Sequence, residues 1–112
     1  MRDLTPVLLE NGFRDAIRDG GTLEIHCVAE VEHNGNDVNG QWKFFVREEF
    51  DGQDVRSVLA LQRNVQHRVI KTARGVVSLA AWFGATSVSL PLVRGGIGVC
   101  EVDQTRIKPG KA

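Results

Sequence analysis

Between Thr22 and His33 apolar and polar residues alternate: Leu23, Ile25, Cys27, Ala29 and Val31 fall on one face, Glu24, His26, Glu30 and Glu32 on the other. A period of two is that of a strand buried on one side. The stretch NGNDVNG, 34–40, is rich in residues that tolerate positive φ and predicts a long hairpin loop. The returning strand sets Trp42, Phe44, Val46 and Phe50 against Gln41, Lys43, Arg47 and Glu49, with Phe45 as an apolar residue on the polar face. Asp51-Gly52 is a two-residue turn signal of the primed type. Gly52→Val is therefore expected to be costly and Gly98→Ala milder. Residues 53–62 are expected to run back as a third strand. The alternative for 54–62 is a helix capped by Asp54, with Val55, Val58, Leu59 and Gln62 on one side.

Helical spacing occurs twice. Thr5-Pro6 reads as an N-cap followed by a proline at the first helical position. Leu9, Phe13, Ala16 and Ile17 then form a stripe, predicting a helix over 5–19 that Gly12 weakens. In the second, Thr72 caps a helix over 72–83 whose positions Val76, Leu79, Ala80 and Phe83 repeat, with Gly84 as its left-handed terminator. Before it, Arg63-Asn64 reads as a tight turn and 67–71 as a short fourth strand that carries Val69 to the core. After it, Val88, Leu90 and Leu92 alternate, and Pro91 places that strand at an edge. A strand, helix, strand order with short links implies a parallel pair with a right-handed crossover. Arg94-Gly95-Gly96 turns the chain, and 97–102 adds a last strand. The expected fold is α+β and two-layered: a mostly antiparallel mixed sheet of 4–6 strands, with helix 72–83 on one face and helix 5–19 preceding it. One domain over 1–104 and a flexible tail over 105–112 follow from the polar C-terminus.

Composition changes this picture little. A chain of 112 residues with 42% hydrophobic residues supports one core. No apolar run reaches the roughly 18 residues of a membrane span, and the start lacks a secretory pattern. A cytoplasmic protein is expected, with no membrane partner. Cys27 and Cys100 stand apart without a metal-ligand spacing, so they read as buried reduced thiols. No metal or cofactor is expected.

Charge changes it more. The net charge is zero, yet residues 1–54 hold 12 acids against 5 Lys/Arg, whereas 55–100 hold 6 Lys/Arg and no acid. Either acidic and basic strands pair within one sheet, or a basic surface faces phosphate or an acidic partner. Arg56, Arg63, Arg68, Lys71 and Arg74 are the candidate nucleic-acid contacts. Val28, Phe45 and Val58, apolar on the polar face, are the candidate interface of a homodimer.

Catalytic signals are weak. Leu79 to Ser89 resembles a helix-turn-helix at Ala80 and Gly84 but departs at Val88 and Pro91. RGGIG lacks the following helix of a phosphate loop, and Glu48-Glu49 point to opposite sides of a strand. His26, His33 and His67 lie in no nucleophile or metal pattern. The expected class is non-enzymatic.

Gln62, Arg63, Arg68, Lys71 and Gly84 lie in a basic segment that leads into an amphipathic helix, a glycine and a short apolar stretch. Over 62–92 the chain resembles small uncharacterised bacterial proteins carried on plasmids and mobile elements, departing from them at Asn64, Ile70 and Thr72. The resemblance implies an accessory role in plasmid maintenance, partition or transfer, with DNA as the partner. The alternative is a protein-interaction or homodimerisation module whose acidic and basic halves are complementary.

Overall fold

The structure is a computed structural model that describes residues 5–61 and 66–109. It is α+β, as expected, but the mixed sheet has eight strands where 4–6 were expected. The strands are β1 (Val7–Leu8), β2 (Thr22–Cys27), β3 (Glu32–Asn34), β4 (Asp37–Phe50), β5 (Gln53–Leu59), β6 (Ile70–Thr72), β7 (Ala85–Ser87) and β8 (Ile97–Val102). The helices are α1 (Glu10–Arg18) and α2 (Ala73–Trp82). The spatial order is β1-β5-β4-β2-β8-β7, with β3 and β6 also paired to β4.

The long strand β4 organises the sheet. It pairs antiparallel with β2 through Leu23↔Val46 and Ile25↔Phe44, and with β5 through Phe45↔Val58 and Arg47↔Arg56. The turn between β4 and β5 has Asp51 at φ 52° and Gly52 at φ 79°, the two positive values that a type I′ hairpin demands. Residues 53–59 are therefore a strand, and the helix alternative falls. The β3-β4 turn is tighter than expected: Asn34 pairs with Asp37, leaving only Gly35 and Asn36 between them, with Gly35 at φ 65°.

Several expectations are corrected by tertiary pairing. Helix α1 starts at Glu10, because residues 6–8 are drawn out as an edge strand parallel to β5: Pro6 O accepts from Val58 N and Leu8 O from Ala60 N. Leu9, with no side-chain cap, holds the N-cap position instead of Thr5. The crossover is absent, since β6 pairs with β4 while β7 pairs with β8, both antiparallel. Residues 88–92 form no strand; Trp42 Nε1 donates to Pro91 O at 2.9 Å and pins that segment to the core. Val69 is 36% exposed and Ile70 packs inward in its place. Phe50, at the end of the β4-β5 hairpin, is 54% exposed. The Arg63-Asn64 turn lies outside the described residues.

One face of the sheet carries the core. Leu23, Ile25, Cys27, Trp42, Phe44, Val46, Leu59 and Cys100 meet Phe13 and Ile17 of α1 and Val76 and Ala80 of α2. Phe83 lies between Phe13 and Phe44, with ring centroids 5.0 and 6.3 Å away. Thr72 Oγ1 accepts from Gly75 N to cap α2, and Gly84 ends it at φ 89°. Packing continues past residue 104: a 3-10 turn at Gln104–Arg106 is followed by buried Ile107, and Lys108 N donates to Trp82 O. No described helix is long and apolar enough to cross a membrane.

Candidate functional site

Both helices pack on the core face, so the opposite face of β5, β4, β2 and β8 has no described helix over it. Alternation places Arg56 and Val58 of β5, Lys43, Phe45 and Arg47 of β4, Glu24 and His26 of β2, and Ile97 and Val99 of β8 on that open face. Register sorts them into rows. Val58, Phe45, Glu24 and Val99 form one row across four strands, flanked by Arg47 opposite Arg56 and by Lys43, His26 and Ile97.

At the centre of the open face Glu24 is buried, with 2% of its surface exposed. Its Oε1 accepts from Arg56 Nε at 2.8 Å and from His26 Nε2 at 3.0 Å. Arg47 Nε lies 3.1 Å from Oε2 but off line, an ion contact without a directed hydrogen bond. Arginines directly opposite on β4 and β5 would repel, and the carboxylate beside them removes that cost. Burial pushes the Glu24 carboxyl up, but the hydrogen bonds and charges of Arg56 and His26 outweigh it and hold it below its ordinary value. The same contact holds Arg56 above its ordinary value. His26 also stacks on Phe45, ring centroids 3.9 Å apart. Farther along, Lys43 Nζ donates to His67 Nδ1 at 2.9 Å. With the carboxylate hydrogen-bonded by Arg56 and His26 and in ion contact with Arg47, the cluster cross-links strands.

Three of the five candidate cations contact acids. Arg56 sits on Glu24, Arg68 Nη1 is 3.7 Å from Glu10, and Arg74 Nη2 is 3.5 Å from Asp37. Lys71 is exposed and borders a depression of about 470 Å³ shared with Glu30 and Glu32. Arg63 lies outside the described residues. Of the candidate interface, Phe45 and Val28 are half-buried, but Val58 is fully buried within one chain and offers nothing to a second. Among the described residues of these four strands, Ile97, at 52%, and Val99, at 49%, are exposed apolar side chains on this face. They alternate with inward Gly98 and Cys100, a signal that was present in the sequence.

Cys27 and Cys100 are free and buried, and burial pushes the Cys100 thiol up against an opposing hydrogen bond with the Ser89 backbone. Among the described residues no cluster of three His, Cys, Asp or Glu side chains is placed to hold a metal. Comparison of the chain with protein-family models, with curated proteins and with solved structures finds no match.

Proposed function

We propose that the chain is a non-catalytic interaction module that docks a protein on its open sheet face. The observation that carries this reading is the destination of its charges. Arg56, Arg68 and Arg74, from the acid-free stretch, each contact an acid from the first half of the same chain. Half of the six cations of that stretch are thus matched within the fold, and what the helix-free face offers outward is Ile97 and Val99 beside half-buried Phe45. Phosphate binding favours cations that share an exposed face and lack competing carboxylates. Glu24, with its lowered pKa and engaged oxygens, is also a poor general base at neutral pH.

The test is an anisotropy titration of a labelled DNA duplex over a salt series. No saturable binding is expected even at about 50 mM salt, where counterion release most favours it. Saturable binding with a log-log salt slope of roughly −3 to −5, reduced by about one unit in Arg68→Ala, would replace this reading with phosphate recognition.

A further inference from the structure

Two histidines touch the open face, and they answer a proton in opposite ways. His26 Nε2 lies 3.0 Å from Glu24 Oε1, an acceptor, so the ring donates there and keeps that bond when its other nitrogen takes a proton. His67 Nδ1 lies 2.9 Å from Lys43 Nζ. An ammonium group has only donors, so Nδ1 accepts and the ring proton sits on Nε2. Protonation of Nδ1 turns that acceptor into a second donor, and the bond becomes a contact between two cations.

This bond crosses a seam in the sheet. Strands β4 and β5 pair as far as Phe45↔Val58. Two residues farther along each strand, His67 connects them: its backbone bridges to Ala60 and its ring holds Lys43. The backbone bonds of this segment run to the end of β5, Arg68 N donating to Leu59 O at 2.9 Å and Leu61 N to Gln66 O at 2.7 Å. Pairing with β4 resumes only at Ile70, opposite Trp42. Among the described residues no backbone bond joins 66–69 to β4, so the bond between His67 and Lys43 is the described hydrogen bond across the seam. Nothing beside it neutralises added charge. Glu24 on β2, Asp54 on β5 and Glu10 on α1 each face an arginine already, and the acids of β4 itself, Asp37, Glu48 and Glu49, lie toward its two ends. Lys43 has no ion pair with a described acid, and Arg68 and Lys71, close to His67 in sequence, are cations as well.

We propose that His67 and Lys43 form a proton-controlled latch: at neutral pH the bond ties the 66–68 segment to β4, and protonation of His67 releases it. The open state binds the extra proton, so opening grows as pH falls, within the range of about pH 8 to 5 in which histidine titrates. Release frees Lys43 on the open face and loosens the sheet beside buried Val58 and Ala60. The device belongs to the fold and stands whether or not a protein docks on that face.

Backbone amide exchange of the full chain at about pH 7.5 and about pH 5.5, each corrected for intrinsic exchange, tests the latch. Protection of Leu61 and Arg68 is expected to fall at least about fivefold at the lower pH, while that of Leu23 and Ile25 in β2 holds. Glu24 keeps its charge in this interval, because its carboxyl is held below 4.5, so the fall is not its doing. His67→Gln keeps an acceptor for Lys43 without a titrating group, and Lys43→Met removes the cation but leaves the histidine. With far-UV dichroism native, each variant is expected to abolish the fall. Unchanged protection in the wild type, or a fall that either natively folded variant retains, would overturn the proposal.

Discussion

At the scale of single residues, Glu24 is the side chain whose environment departs most from its sequence pattern. Alternation assigns it to the solvent face, and it does lie there, yet it is buried beneath Arg47, Arg56 and His26. Replacing it leaves like charges facing each other, and Glu24→Gln is expected to cost about 1 to 3 kcal/mol in chemical denaturation at pH 7. Its folded pKa lies below the ordinary carboxyl value of 4.5, so its stabilisation is complete above that pH and is lost as pH falls through the folded value. The gap in stability between the wild type and Glu24→Gln should therefore narrow on acidification below about pH 4.5, and a constant gap would deny the carboxylate this role. The pairing was partly legible. An Asp51-Gly52 turn sets Arg47 opposite Arg56, and two facing arginines call for an anion nearby. That the anion is Glu24 required knowing that β2 lies on the other side of β4.

At the scale of elements, α2 and the β4-β5 hairpin follow the sequence closely. Phe83 is fully buried and Leu79 only partly, so Phe83→Ala should cost about 3 to 5 kcal/mol and Leu79→Ala less, read from denaturation midpoints. Gly52→Val should cost about 1 kcal/mol or more through its positive φ, although the space beside it is open. Gly98 reverses the expectation of a mild effect. A methyl group there would sit 1.9 Å from Ser89 O, a backbone atom that cannot swing aside. Gly98→Ala is accordingly expected to destabilise by about 3 kcal/mol or to prevent folding, and a stable Gly98→Ala protein would show that residues 88–92 do not pack under β8. Helix α1 shows the limit of local signals: Thr5-Pro6 suits a helix start, but the edge of β5 offers residues 6–8 backbone partners that a helix would forgo.

At the scale of the whole molecule, the polar C-terminus proves to be part of the packing. Ile107 is buried against the core, and beside Gly84 its Cγ1 would come within 2.8 Å of an added Cβ. Truncation after Gln104 should therefore lower stability by roughly 2 to 4 kcal/mol, and a truncated chain that melts like the full one would mark residues 105–112 as dispensable. Charge behaves likewise. The divided acidic and basic stretches meet where Arg56 contacts Glu24, Arg68 contacts Glu10 and Arg74 contacts Asp37, so half of the six cations of the acid-free stretch find an acid from the first half.

The sequence by itself determined the α+β class, a strand from Thr22 that ends at Cys27 rather than running on to His33, the hairpin at Asp51-Gly52, helix α2 with its Thr72 cap and Gly84 stop, and two buried unbridged thiols. These depend on side-chain period, on turn chemistry and on capping, which act within a few residues. Tertiary structure alone decided the strand order, the short β1, the burial of Glu24 and Val58, and the packing of Ile107. Each of those depends on which distant backbone supplies a hydrogen-bond partner or covers a face, and no local pattern encodes that choice.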